Sequence, residues 1–342
     1  MGRLAQAGFL EYDMARMTSA GTPVLVETPP SGISALWTGR RRLGESELRV
    51  FPLAIGGNVF GFTADEDATT AILNRYSQAG GNFIDTADSY SDGRSESMIG
   101  AWLHERANRA EMVVATKIGK SAENPGVSES AISRAVEASL RRLGTDYIDL
   151  LYLHIDDESV PFEETLLALD EQVRAGKVRY LGVSDHSGNR LIEARVIAAQ
   201  LGLAPLVAVQ SQYSLVHRVR YEGTLARVAT AQHLGVMPRF ALAGGFLAGN
   251  YRSRADLART TRKSAGKHLA RHGLKILACL DQIAAQQRCS TATVALAWLL
   301  SKPGVVAPVV SASNADQVDD LVAVAGIQLT RHQVAELDRV SA

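Results

Sequence analysis

From Leu43 onward the chain repeats one rhythm. A short apolar run gives way to a few glycine or polar residues, and then apolar positions recur every three to four residues. The apolar runs predict strands near 50–55, 82–85, 112–117, 147–154, 178–184, 206–210, 236–242 and 305–310. The periodic stretches predict helices near 65–79, 95–105, 128–143, 161–175, 189–200 and 221–234, followed by 267–287, 290–301 and 314–324. In the helix over 128–143, Ile132, Val136, Leu140 and Leu143 share one face, and Ser128 with Glu129 marks its start. Leu166, Leu169 and Val173 do the same after Pro161, a residue suited to the first turn of a helix. Runs such as "VVAT" and "IDLLYLH" are apolar on both faces, as strands in a helix-covered parallel sheet must be.

Eight strand–helix units in about 290 residues predict an α/β fold of the closed (β/α)8 or TIM-barrel kind, whose usual size is about 250 residues plus insertions, here with extra C-terminal helices. An open doubly wound sheet would carry G-x-G-x-x-G after its first strand, and "LAIGGNVFGF" has no such spacing. The first 40 residues break the rhythm. "TSAGTPVLVETPPSGISALWTG" mixes Pro, Gly, Ser and Thr without a sustained period, and "MGRLAQAGFLEYDMARM" lacks the apolar core of a signal peptide. The expected division is a flexible N-terminal extension over 1–40, with Met14 and Met17 as alternative starts, and a barrel domain over 41–342. A lid or partner-binding arm is the functional alternative for the extension.

Composition narrows the function classes. Of 342 residues 46% are hydrophobic, enough for one large domain or two ordinary ones. Lys plus Arg and Asp plus Glu each number 36, so no global field draws nucleic acid or an acidic membrane. Cys279 and Cys289 stand outside any metal-ligand spacing, which points to a reducing, cytoplasmic setting and to no metal site. No apolar run approaches the roughly 20 residues of a membrane helix. The expected partner is therefore a small molecule, and oligomeric state is not legible.

In a barrel of this kind the chemistry lies at the carboxyl ends of the strands. Successive predicted strands end on Asp85, Lys117, His154, Ser184 and Gln210, with Tyr90, Asp185, His186 and Tyr213 just beyond. Singly, each has a bland reading: a loop cap, a solvated strand end, a core histidine. Together they would line one mouth. Free tyrosine ionises near pH 10, and a lysine ammonium within a few ångströms favours the phenolate. Buried lysine tends to lose its charge, and a carboxylate beside it prevents that. Asp85 would thus hold Lys117, Lys117 would tune Tyr90, and His154 would donate a hydrogen bond to a substrate oxygen. This set protonates a carbonyl oxygen. It contains no activated nucleophile, and since no side chain supplies hydride, a nicotinamide cofactor is implied.

The segments "GGNFIDTADSYSDGRSE", "VVATKIG", "SLRRLGTDYIDLLYLH", "VRYLGVSDHS", "VQSQYSL", "ALAGGFLAGNY", "VALAWLL" and "SASNADQ" follow one another in this order. In them the chain resembles an aldo-keto reductase from about Gly39 to Val340. The resemblance implies a (β/α)8 barrel that uses NADPH, or NADH, without a Rossmann domain. It implies the catalytic tetrad Asp85, Tyr90, Lys117 and His154, already reached from position and chemistry. It also implies that Ser184, Asp185 and Gln210 face the nicotinamide carboxamide and that Tyr213 stacks on the ring. Leu242, Gly244, Leu247 and Gly249 would approach the pyrophosphate, and Ser313, Gln317 and Asp320 the adenosine end. Asp185 stands at a usual asparagine position, Ala241 at a frequent proline, Asn250 at a frequent lysine and Leu321 at a common asparagine. No Lys or Arg occurs in "SASNADQ" to grip a 2′-phosphate; Arg252, Arg254, Arg259, Arg262 and Lys263 would compensate only if their loop folds over the cofactor, and a solvated loop is the favoured alternative. The implied activity is reduction of an aldehyde, ketone or keto-sugar. The alternatives are a cofactor-binding regulatory module, as in the similar β subunits of voltage-gated potassium channels, and a dehydrogenase working toward oxidation. Phe60, Phe62, Tyr90, "IDDES" and the loop near 215–222 would wall the pocket, with Asp156 and Asp157 as acidic wall or as loop caps.

Overall fold

The computed structural model describes residues 39–257 and 263–342. The extension expected over 1–40 lies outside the described residues except for Gly39 and Arg40, as do Arg259, Arg262 and the side chain of Lys263. The described chain opens with an antiparallel hairpin of β1 (Arg41–Arg42) and β2 (Arg49–Val50). Eight parallel strands follow: β3 (Ala54–Gly56), β4 (Phe83–Asp85), β5 (Val113–Ile118), β6 (Ile148–Leu153), β7 (Val178–Ser184), β8 (Leu206–Gln212), β9 (Gly235–Arg239) and β10 (Val309–Val310). They pair in the order β10-β3-β4-β5-β6-β7-β8-β9. Val236 bridges to Val305 just before β10, and its amide and carbonyl bond to Gly304 and Val306, each at 2.9 Å. The sheet is thereby a nearly closed barrel.

Helices alternate with these strands: α1 (Glu66–Gln78), α2 (Arg94–Arg106), α3 (Glu129–Leu143), α4 (Phe162–Arg174), α5 (Gly188–Leu201) and α6 (Thr224–Ala231). The short α7 (Arg254–Leu257), then α8 (Arg271–Gln287), α9 (Thr291–Leu300), α10 (Asp316–Val322) and α11 (Arg331–Val340) complete the chain. The expected cap Ser128 holds the N-cap position of α3 without a side-chain bond, whereas Asp65, Ser187 and Ser290 each accept an amide bond at their helix starts.

The core has two layers. Between sheet and helices, residues such as Ile72, Ile99, Ile132, Leu169, Leu191 and Leu280 bury the apolar helix faces. Inside the barrel lie Phe83, Ala115, Leu150, Tyr152, Ala208 and Met237, together with Leu43, Leu48 and Val50 from the hairpin. The hairpin therefore stoppers the amino end of the barrel. Its turn sits so close that a Cβ on Gly44, at φ +53°, would come 2.1 Å from the Val207 carbonyl oxygen. The run read as one strand over 50–55 is thus two pieces, because Val50 belongs to the stopper and only Ala54–Gly56 enters the barrel. Two other strands are shorter than predicted. β9 ends at Arg239 because Phe240 turns to φ +53°, and β10 keeps only Val309 and Val310. α11 was not foreseen.

Side chains alternate across a strand, so residues two apart share a face. Phe83 and Asp85, Ala115 and Lys117, Gly182 and Ser184, Ala208 and Gln210, and Met237 and Arg239 are such pairs. The first member of most pairs fills the barrel interior, so the second stands one step nearer the carboxyl mouth. Tyr152 takes its space in this layer from Gly182, where a Cβ would lie 2.7 Å from the tyrosine ring.

Candidate active site

Asp85 and Lys117 sit at the floor of the mouth, with 1% and 0% of their surface exposed. The Lys117 ammonium lies 2.5 Å from Asp85 Oδ1 and donates to the Thr86 carbonyl oxygen at 2.8 Å. The other carboxylate oxygen of Asp85 accepts from Gln210 Nε2 at 2.8 Å. Burial by itself would discharge the lysine. The Asp85 carboxylate and the Tyr90 phenol more than offset that and hold its pKa above the usual lysine value.

Tyr90 begins a short turn behind β4, over Tyr90–Gly93, in which Ser91 and Asp92 both adopt left-handed backbone angles. Two bonds fix this loop: the Asp88 amide to the Lys117 carbonyl oxygen at 2.9 Å, and the Ser91 hydroxyl to the Phe60 carbonyl oxygen at 2.9 Å. The loop that carries the phenol is therefore tied to the residue that carries the ammonium. Lys117 Nζ lies 5.2 Å from the centre of the Tyr90 ring. His154 follows β6 directly, and its ring meets the Tyr90 ring edge-on with centroids 6.0 Å apart. Burial, then Lys117, Lys120 and Arg239, push the His154 pKa down to about 2, so its imidazole is neutral at any ordinary pH. Its buried Nδ1 has no protein partner among the described residues.

Behind the loop, Asp88 is buried, and burial with the nearby Glu96 carboxylate pushes its carboxyl up to about 7. Glu96 accepts from Thr116 Oγ1 at 2.5 Å and Arg142 Nε at 2.7 Å.

The residues assigned to the nicotinamide end occupy neighbouring strand ends with different degrees of access. Ser184 is buried at the end of β7. Gln210 is buried beside it, its amide nitrogen committed to Asp85. Asp185 adopts φ +62°, and Arg239 grips its carboxylate with Nε at 3.1 Å and Nη2 at 2.5 Å. Tyr213 is 1% exposed, with its ring against Tyr221 and Trp298 and its hydroxyl donating to Glu222 at 2.8 Å. As it stands, that ring has no open face for stacking. Of the segment assigned to the pyrophosphate, Leu247 is buried, Leu242 is half-buried, and Gly244 and Gly249 take φ +67° and +78°. Gln317 accepts from the Ser313 amide at 2.9 Å, and Asp320 is exposed on α10. Arg252 is held by Asp281 through two bonds of 2.7 Å.

Asp85, Tyr90, Lys117 and His154 meet at the mouth. Gly244 and Gly249 after β9 are half-buried, and the Ser313–Asp320 segment follows β10, which the Val236–Val305 bridge links to β9. Among the described residues no group of three or more His, Cys, Asp or Glu could hold a metal, and no helix is long and apolar enough to cross a membrane.

The expected wall is redistributed. Phe60 is buried in the apolar layer and Phe62 stands exposed. Asp156 is paired with Arg190 at 2.9 Å, and Asp157 caps Ser159 through its amide at 3.0 Å and hydroxyl at 2.5 Å. Sequence reading missed Lys120 and Arg239. The signal for Arg239 was present, since "GVMPR" also ends an apolar run on an ionisable side chain.

A family model described as the aldo/keto reductase family matches residues 52–342. The chain is 30% identical over 335 residues to the norsolorinic acid reductase of Aspergillus flavus, covering 92% of this chain and 84% of that one. It is 32% identical over 311 residues to YrpG, an uncharacterized oxidoreductase of Bacillus subtilis, covering 87% and 94%. It is also 31% identical over 291 residues to a probable voltage-gated potassium channel subunit beta of Arabidopsis thaliana, covering 82% and 89%.

Proposed function

Because the chain belongs to the aldo/keto reductase family, we propose that it is an NAD(P)H-dependent oxidoreductase that reduces an aldehyde, ketone or keto-sugar to the alcohol. The observation that carries this reading is the buried Lys117–Asp85 pair set beneath the Tyr90 ring. A bound NADPH, with NADH as the second choice, supplies the hydride that no side chain can.

The chain's own residues do the rest. Tyr90 gives its proton to the carbonyl oxygen as negative charge develops there, and the Lys117 ammonium stabilises the phenolate left behind. Asp85 keeps that ammonium charged inside the barrel. Neutral His154 orients the carbonyl with a hydrogen bond and competes for no proton, since its ring stays unprotonated. Ser184, Asp185 and Gln210 would hold the nicotinamide end, with Gln210 offering its carbonyl oxygen, while Tyr213 as placed has no face free to stack. Leu242, Gly244, Leu247 and Gly249 would face the pyrophosphate, and Ser313, Gln317 and Asp320 the adenosine.

Tyr90→Phe tests the assignment. Turnover should fall by about 10²–10⁴-fold, the range for a lost general acid, while NADPH affinity by fluorescence titration stays within about twofold; undiminished reduction refutes it. The relatives named as channel subunits support a second reading, a cofactor-binding regulatory module. Single-turnover oxidation of bound NADPH by a carbonyl panel separates the two. The same residues also serve alcohol oxidation, with Tyr90 as the base.

A further inference from the structure

The turn that carries the phenol is strained backbone. Ser91, Asp92 and Gly93 take left-handed angles in succession, at φ +52°, +55° and +85°. Two of the three carry a Cβ, and such backbone persists only where its surroundings over-determine it. The turn opens on Tyr90 and runs directly into α2, whose N-cap is Gly93. What holds the first residues of α2 therefore holds the turn.

Those residues are fastened on both sides of the buried ion pair. Ser95 Oγ lies 2.8 Å from Thr86 Oγ1 and donates to the Gly57 carbonyl oxygen at 2.8 Å. Thr86 follows Asp85 and supplies the carbonyl oxygen that receives the Lys117 ammonium. Glu96, with none of its surface exposed, accepts from Thr116 Oγ1 at 2.5 Å. Thr116 precedes Lys117 on β5, so strand alternation turns it outward to the helices while Lys117 turns into the mouth. The second oxygen of Glu96 accepts from Arg142 Nε at 2.7 Å, and Arg142 Nη1 goes on to Glu123 beyond β5 at 2.9 Å. Arg142 also packs on the turn itself, where a Cβ on Gly93 would lie 2.6 Å from its Cδ. One carboxylate thus ties the end of the turn to the strand residue next to the ammonium.

We propose that Glu96, braced by Arg142, is a positioning residue for the reaction: through Thr116 and the first turn of α2 it fixes the Tyr90 phenol over Lys117. The inference rests on the reductase reading and adds to it a residue that, wholly buried, meets neither substrate nor cofactor. A buried carboxylate and its guanidinium contribute little net stability over apolar side chains of the same size. What the pair does supply is one fixed geometry. The phenol must meet the carbonyl oxygen and the ammonium together, and a displacement of about 1 Å is enough to lower a rate by about 10²-fold.

Glu96→Ala strands the Arg142 charge and risks the fold, so the test removes only the hydroxyl, in Thr116→Val, with Thr116→Ser as the variant that keeps it. Both are compared with wild type at a temperature where all are folded, using NADPH with 4-nitrobenzaldehyde, 9,10-phenanthrenequinone and dihydroxyacetone. Each protein is also made with 3-fluorotyrosine in place of Tyr90 for fluorine magnetic resonance. In Thr116→Val, kcat should fall by about ten- to a hundredfold, while KM and NADPH affinity stay within about twofold. The solvent deuterium isotope effect on kcat should rise, because delivery of the proton has become slow, and the fluorine resonance should move. Thr116→Ser should return rate and resonance most of the way to wild type. Equal losses in both variants, an isotope effect unchanged in Thr116→Val, or a resonance that stays in place overturns the positioning role and leaves the reductase reading standing. If wild type reduces none of these carbonyls, the reductase reading falls. A resonance moved by Thr116→Val and restored by Thr116→Ser would then still keep the link between Glu96 and the turn.

Discussion

Lys117 and Asp85 form an ion pair of 2.5 Å from which water is excluded on every side, joined by the Thr86 carbonyl and the Gln210 amide. Three strand ends, those of β4, β5 and β8, converge on two charges, so removing either charge affects more than the chemistry.

Lys117→Met should abolish reduction and also destabilise the fold, by about 3–5 kcal/mol, because a buried carboxylate is left without its partner. The double substitution Asp85→Asn, Lys117→Met should recover most of that stability and none of the activity. Urea unfolding of the wild type and the two variants checks this. A double variant no more stable than Lys117→Met alone would mean that the stranded charge is not the cause.

Asp88 predicts an unusual response to pH. In the folded protein its carboxyl stays protonated up to about 7, whereas an unfolded chain ionises it near the usual value of about 4. A raised acid contributes stability at low pH that is lost as pH climbs from about 4 to about 7. Asp88→Asn should therefore stabilise the protein at pH 8 and make little difference at pH 4.5. Equal effects at both values would contradict the protonated state.

His154 has the reverse sign. Its folded value near 2 lies below the ordinary histidine range, so the unfolded chain takes up a proton first. Stability should fall as pH drops below about 6.5. His154→Gln should flatten that fall between pH 6.5 and 4.5, and nuclear magnetic resonance should find the wild-type imidazole neutral at pH 5. A titration midpoint above 5 would rule this out.

Gly182→Ala tests the barrel filling. The added methyl meets Tyr152 at 2.7 Å and the Ala208 carbonyl oxygen at 3.0 Å, and overpacking of this kind costs about 1–3 kcal/mol. The melting temperature should fall, and Tyr152→Phe should not rescue it, because the clash is with the ring carbons. Unchanged melting would show that β7 gives way freely.

The strand ends at Asp85, Lys117 and Ser184 were legible because alternation and an apolar run are local signals. The hairpin was not, because Leu48 and Val50 continue the same apolar pattern that Leu53 and Ile55 carry into the barrel. Arg239 was passed over because Phe240, Ala241 and Leu242 prolong its run, and only the left-handed turn at Phe240 stops the strand. Few sequences announce such a turn with a phenylalanine. The burial of Tyr213 depends on Trp298, far along the chain, and no local pattern could show it. α11 was readable and missed: Thr330 and Gln333 form a capping box at its start.

The ring of strands is riveted unevenly. Where β6 meets β7 or β8 meets β9 the register runs over five residue pairs, but β10 holds β3 by two pairs and reaches β9 mainly through the bridge at Val236 and Val305. Thermal breathing should begin at that joint, and amide exchange should be fastest for 304–310. The segments 242–249 and 313–320 spring from either side of the same joint, so a dinucleotide lying across both would act as a clasp. Its binding should slow exchange there first, before any part of the far wall responds.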